Sequence, residues 1–370
     1  MKQPDTNPSP QQPSQQTRDN RQLLSLAWKI FLPIAIGAAV VIWLFHREFN
    51  PRVWETIHFD NRVIGCIALA WVFMIGRDFG LSWRFRTLTD RQLTWLQAIK
   101  VNMLCEFTSC VTPSAVGGSA LGMVYLNREG IELGRATTLM MTTLFLDELF
   151  FVVSLPVIML AIPYRELFGF GHSTFTIGLE SVFWIVYSVI FLWTAILFLG
   201  IIVRPHGIHR ALNWLFSLRW LRRWQHSADT LGQNMEDTGR ELRLRPLRWW
   251  LETFCGTALS WSSRYLVVNA LFLGFAPYAD QLIVFGRQFV VWVVMMISPT
   301  PGSAGVSEWL FTTYYGDLIH SSGIALVIAL FWRIISYYVY LIIGACIMPS
   351  WIRQGIRLSR RKRSSISSDT

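Results

Sequence analysis

The sequence predicts an all-α polytopic membrane protein: six full transmembrane helices plus two oppositely oriented re-entrant hairpins, eight apolar segments in a pseudo-inverted repeat. Three observations lead there. The 370 residues are 52% hydrophobic and 15% charged, more apolar than one soluble core of this length requires. The apolar residues fall in blocks close to the about 20 residues that cross a hydrocarbon layer of about 30 Å. Two of these blocks are broken in the middle by similar Pro, Gly and Ser motifs.

Residues 1–25 are rich in Pro, Gln and Asn and read as a disordered cytoplasmic N-terminus. The next block is too long for a signal-peptide core and lacks a small-x-small cleavage site, so Leu26 to Phe45 reads as a retained first span. The further spans are Asn61 to Phe79, Ala136 to Ile162, Leu179 to Val203, Trp249 to Phe272 and Ile324 to Cys346. The two broken segments, Leu96 to Asn127 and Leu282 to Tyr315, lie between them. Residues 26–350 thus form a single transmembrane domain, followed by a basic cytoplasmic tail at 351–370.

Orientation follows from the arginines. The loop at 204–248 carries Arg204, Arg210, Arg219, Arg222, Arg223, Arg240, Arg243, Arg245 and Arg248, and the tail carries Arg353, Arg357, Arg360, Arg361, Lys362 and Arg363. The positive-inside rule puts both in the cytoplasm, which predicts a multi-pass protein of the cytoplasmic membrane with both termini inside. Each broken segment must then return to the side it entered from. Parity admits either a hairpin or two full spans; the available length, short of about 40 residues plus a turn, favours a re-entrant hairpin. Within the basic loop, Leu212, Leu215, Phe216, Trp220 and Trp224 interleave with arginines from Ile208 to Trp224. That pattern suits an amphipathic helix on an anionic leaflet, with an ordinary solvated helix as the alternative.

The net charge of +10 does not point to nucleic acid, because the arginines flank apolar blocks. The five cysteines lie in or beside apolar segments without the spacing of a disulfide framework or zinc site. No metal or cofactor is expected, and no Walker-type phosphate loop is present.

The two interruptions resemble each other. One runs from Thr112 and Pro113 through Ser114, Ala115, Val116, Gly117 and Gly118 to Ser119; the other runs from Thr300 and Pro301 through Gly302, Ser303, Ala304 and Gly305 to Glu308. With one hairpin opening to each side, the pair would be related by inversion, which puts a site near the midplane. Proline removes an amide donor, glycine permits unusual dihedrals, and the helix that restarts presents unpaired amides and a positive dipole end. Such a terminus suits a phosphate. Close helix packing through small residues is the alternative reading of either motif alone.

Charges at membrane depth are costly unless paired or hydrated, so each is a candidate. They are Arg77, Asp78, Glu106, Asp147, Glu148, Arg264, Arg287, Glu308 and Arg333. Asp147 and Glu148 are neighbours and point about 100° apart on a helix, so one can pair with an arginine while the other faces a cavity. Arg264, Arg287 and Arg333 are the candidates for headgroup phosphate, since the guanidinium fork donates two hydrogen bonds and stays charged when desolvated. Glu308 beside the second breaker is placed to accept from the hairpin backbone, take a proton or attract an amine.

These motifs resemble the transmembrane region of lysylphosphatidylglycerol synthases, a flippase-like membrane family. Pro299 through Glu308 looks like the family's Pro-Thr-Pro-Gly-Gly-x-Gly-x-x-Glu, and Trp332-Arg333 with Tyr337, Tyr338 and Gly344 looks like its last-span pattern. Leu146 to Leu149 and Thr112 to Arg128 are similar to its middle-span acidic motif and first hairpin. Where the family commonly has Gly-Glu and a basic residue, this chain has Gly118-Ser119 and then Leu121-Gly122. The resemblance implies movement of a lipid, such as an anionic or aminoacylated phospholipid, between leaflets. It does not imply synthesis, because no remaining segment is long enough for the synthases' soluble transferase domain. The alternatives are a membrane-embedded transferase with Asp147, Glu148 or Glu308 as general base, and a non-catalytic partner of an envelope enzyme.

Overall fold

The structure is a computed structural model that describes residues 59–112, 116–169, 174–203, 225–298, 303, 305–319, 322–348 and 351. The expected first span, the amphipathic helix at 208–224, the N-terminus and all of the tail but Trp351 lie outside the described residues. All regular structure among the described residues is helical. The helices are α1 Asn61–Leu88, α2 Trp95–Val111, α3 Val116–Arg128, α4 Leu133–Ala161, α5 Tyr164–Phe168, α6 Thr174–Phe198, α7 Gln225–Arg243, α8 Leu247–Phe275, α9 Gln281–Met295, α10 Val306–Tyr314 and α11 Ser322–Arg333. A π turn at Leu199–Val203 extends α6, and another at Ile334–Tyr338 carries α11 onward, so the last helical run reaches Met348.

Four helical runs among the described residues are long and apolar enough to cross a membrane: Asn61–Leu88, Leu133–Ala161, Phe175–Phe198 and Gly323–Met348. The expected span Trp249 to Phe272 lies within α8, whose 29 residues are long enough but not among those four by apolarity. Arg248, Glu252 and Arg264 dilute its hydropathy.

Local chemistry accounts for the helix ends. Asp60 caps α1 by accepting from the Val63 amide at 2.9 Å, and Thr94 and Gln97 form a reciprocal capping box at the start of α2. Helix α1 runs nine residues past the expected end at Phe79, because Arg84 in its last turns finds a carboxylate partner on α4 and so can be buried. Helix α7, inside the segment expected to be a loop, buries Met235, Thr238 and Leu242, a stripe at helical spacing. Its end joins an ionic cluster in which Arg135 and Arg245 both meet Asp90 at 2.6 Å.

Helices α1 and α8 pack antiparallel: Arg62 at one end reaches the Gly274 carbonyl, and Thr87 at the other reaches Glu252. Small residues let their backbones approach, Gly76 and Gly80 facing Ser263, Ser260 and Gly256. A Cβ added at Gly80 would lie 2.7 Å from the Gly256 carbonyl oxygen and 3.0 Å from the Ser260 nitrogen. Both neighbours are backbone and cannot swing aside. Gly80→Ala should therefore lower stability by about 1–3 kcal/mol in a detergent melt. Gly65→Ala, where a Cβ meets nothing within 4 Å, should not.

Both broken segments fold as antiparallel helix pairs. In the first, Thr108 and Tyr125 share a 2.6 Å hydrogen bond, and at the far end Lys100 meets Glu129 at 2.8 Å. In the second, Gln288 donates to the Tyr315 hydroxyl at 2.9 Å, and Ser303 near the tip lies 3.5 Å from the Met295 carbonyl. At about 1.5 Å per residue, none of the arms, of 17, 13, 15 and 9 residues, spans about 30 Å. The apolar core forms two clusters, one around Phe151, Phe183, Tyr265, Phe289 and Phe311, the other around Leu88, Leu93, Leu126 and Leu139. Members of both line a common cavity.

Candidate functional site

The cavity has a volume of about 250 Å³. Both hairpin tips border it, the first through Ser109, Cys110, Thr112 and Gly118, the second through Ser298 and Ser303. Its charged lining is Arg77, Arg84, Arg264 and Arg333 with Glu106, Asp147 and Glu148, and its aromatic lining includes Trp261, Trp292, Trp332 and Tyr337.

Each arginine is tied to an acid. Arg77, fully buried, pairs with Asp78 at 2.8 Å and with Glu106, and its guanidinium lies 4.9 Å from the Tyr340 ring. Tyr340 donates to the other oxygen of Asp78 at 2.6 Å. Arg264 shares Glu106 at 3.3 Å and lies between Trp292 and Trp261, 4.5 and 5.1 Å from their ring centres. Arg84 holds Asp147 at 2.5 Å, and the Trp261 indole N–H donates to the same carboxylate at 2.9 Å. These contacts compensate the charges of the desolvated guanidinium groups, because carboxylates and ring faces replace water.

The second tip is organised by Glu308. One of its oxygens accepts from the Gly305 amide at 2.7 Å and the Ser307 hydroxyl at 2.9 Å. The other pairs with Arg333 at 2.7 Å. Gly305 sits at φ +83°, a conformation that glycine adopts without strain, and this turns the chain so that α10 can start there. Arg333 lies 4.1 Å from the centre of the Tyr337 ring, and the Tyr337 hydroxyl donates at 3.2 Å to the carbonyl of Cys110, on the first hairpin. A chain of contacts thus runs from Gly305 through Glu308, Arg333 and Tyr337 to the opposite tip.

Of the residues singled out from sequence, Arg264, Arg333, Asp147, Glu148 and Gly118 line the cavity, while Glu308 and Gly305 stand directly behind Arg333. Gly117 and Ser119 fall in the first turn of α3; Pro113, Pro301 and Gly302 lie outside the described residues. Arg287 is elsewhere. It is buried, donates to the carbonyls of Tyr314 and Glu166 at 2.8 and 3.0 Å, and forms a two-pronged pair with Asp317. It clamps the open end of the second hairpin and contributes nothing to the cavity wall. Arg84 was not among the candidates, although its place seven residues after Arg77 puts both on one face of α1. The indoles carried no charge to mark them.

Among the described residues no group of three or more His, Cys, Asp or Glu is arranged to hold a metal ion. A family model described as the lysylphosphatidylglycerol synthase TM region matches residues 30–344. The chain belongs to that family. Every cavity-lining residue falls within the matched range. An Archaeoglobus fulgidus relative described as a UPF0104 membrane protein is 21% identical over 327 residues, covering 84% of this chain and 94% of the relative. No solved structure matches. As a member of the lysylphosphatidylglycerol synthase TM family with four apolar membrane-length helices among its described residues, this is a multi-pass membrane protein.

Proposed function

We propose that this protein moves an anionic or aminoacylated phospholipid between the leaflets of the cytoplasmic membrane, with the headgroup passing through the cavity and the acyl chains remaining in the bilayer. One observation carries this reading: two broken helix pairs bring their tips to one cavity whose lining includes four arginines and three acids. Irregular backbone at membrane depth is tolerated where it lines a polar cavity, and such cavities mark substrate paths. The short arms support re-entrant hairpins, and the arginine-rich segments support cytoplasmic termini. Rocking of one hairpin against the other would expose the cavity to each side in turn. The protein acts on the lipid without changing it covalently and needs no cofactor.

Purified protein in liposomes containing acyl-labelled phospholipids tests this. Leaflet exchange above that of protein-free vesicles is the expected result. Appearance of a new lipid species would identify a membrane-embedded transferase, and neither exchange nor product would leave a non-catalytic partner of an envelope enzyme.

Arg287 provides a control. Arg287→Ala should lower stability by about 2 kcal/mol by stranding the Tyr314 and Glu166 carbonyls. Exchange per folded molecule should not change, because Arg287 lies off the cavity. A selective loss of exchange at wild-type stability would overturn that placement.

A further inference from the structure

We infer that Glu148 receives an ammonium group on the transported headgroup, so that the cavity selects a zwitterionic, amine-bearing lipid over a purely anionic one. This rests on the transport reading above and narrows its substrate class.

Charge bookkeeping at the cavity leads to this inference. Among the described residues, Arg77, Arg84, Arg264 and Arg333 each have a carboxylate partner, drawn from Asp78, Glu106, Asp147 and Glu308. Glu148 is the fifth acid of this group and has neither ion pair nor hydrogen bond among the described residues, while one of its oxygens is buried. The neighbouring Asp147 cannot help, since its carboxylate is taken up by Arg84 and Trp261 and has the same sign. The residues between the hairpin arms that lie outside the described set, 113–115, 299–302 and 304, carry no ionisable side chain. With every member ionised, the cluster holds one more acid than base.

The other buried groups at the cavity without a hydrogen-bond partner among the described residues include donors: the Nε atoms of Arg77 and Arg84, whose charges are already paired, and two indoles. The indole N–H groups of Trp292 and Trp332 have no acceptor among the described residues, and both residues line the cavity. A buried donor or acceptor left unpaired is costly, so unsatisfied groups in a cavity outline the ligand that would satisfy them. Here they call for one cation and for acceptor oxygens. An ammonium and a phosphate on one headgroup meet that requirement, and Arg264 and Arg333 need not give up their acids. A headgroup with only negative charge would leave Glu148 unpaired and add repulsion.

The test compares acyl-labelled phosphatidylethanolamine with phosphatidylglycerol in proteoliposomes of wild type, Glu148→Gln and Glu148→Asp. A lost charge-assisted hydrogen bond corresponds to about tenfold, so the wild-type preference for the amine lipid should be about tenfold and should fall to near unity in Glu148→Gln. Glu148→Asp, which keeps the charge, should retain most of the preference and shows that the position tolerates change. Equal wild-type rates, or a preference surviving in Glu148→Gln, would overturn the inference. A detergent arm separates it from the transport reading: phosphoethanolamine should raise the melting temperature more than glycerol phosphate, and only with Glu148 or Asp present. If no lipid exchanges, transport fails while this arm still decides the site. Stabilisation by free ethanolamine equal to that by phosphoethanolamine would reject a headgroup as the ligand.

Discussion

Replacing Arg333 with alanine should both destabilise the protein and slow lipid exchange by an order of magnitude or more, the largest effect expected of any single substitution. Arg333 and Glu308 are 4% and 5% exposed in their side chains and 2.7 Å apart. Removing the cation leaves a buried carboxylate uncompensated, a change that typically costs about 3–5 kcal/mol. The double variant Glu308→Gln with Arg333→Met discriminates the cause. It removes both charges while nearly preserving volume, so much of the stability should return. Exchange should not, because the link from the second tip through Arg333 and Tyr337 to the Cys110 carbonyl stays broken. A double variant as unstable as Arg333→Ala, read by thermal melting, would mean that the pair's charge is not what holds the site.

The second large effect is expected at Arg77, which is fully buried among Asp78, Glu106 and the Tyr340 ring. In Arg77→Ala the one direct ion-pair partner left to the two acids among the described residues is Arg264, 3.3 Å from Glu106. The expected loss is again about 3–5 kcal/mol. Arg77→Lys should fall between the two, because an ammonium keeps the charge but cannot fork across two carboxylates or lie flat on a ring. Melting temperatures should therefore descend from wild type through Arg77→Lys to Arg77→Ala. Arg77→Lys as stable as wild type would show that charge without geometry explains the site, and Arg77→Lys no better than Arg77→Ala would show that charge by itself contributes nothing.

Several features were legible because they depend on neighbours in the chain. Apolar windows located the helices near 61–88, 133–161 and 323–348 to within a few residues at most ends, since transfer from water to lipid sums over one segment. The end of α1 was missed because a window treats Arg84 as an exposed charge, whereas the fold supplies Asp147 across the bundle. Helix α7 was missed for the related reason that its short stripe of Met235, Thr238 and Leu242 has meaning only against α4.

The site divides along the same line. Broken backbone at the Thr-Pro motifs, and charges placed where lipid would be, are properties of local sequence, and each marks a position that must find polar surroundings. Which acid meets which arginine is not. Arg264 and Arg287 look alike in sequence, each embedded in an apolar helix, yet one borders the cavity and the other clamps the far end of a hairpin beside Asp317. Asp147 and Glu148 are adjacent, yet one is held by Arg84 and Trp261 while the other has no partner among the described residues. The sequence alone determined that this chain is an all-helical membrane protein with buried charge and two interrupted segments. The tertiary structure decided which of those charges meet one another and which has no partner among the described residues, because pairing depends on faces of distant helices brought within a few ångströms, and no local sum contains that distance.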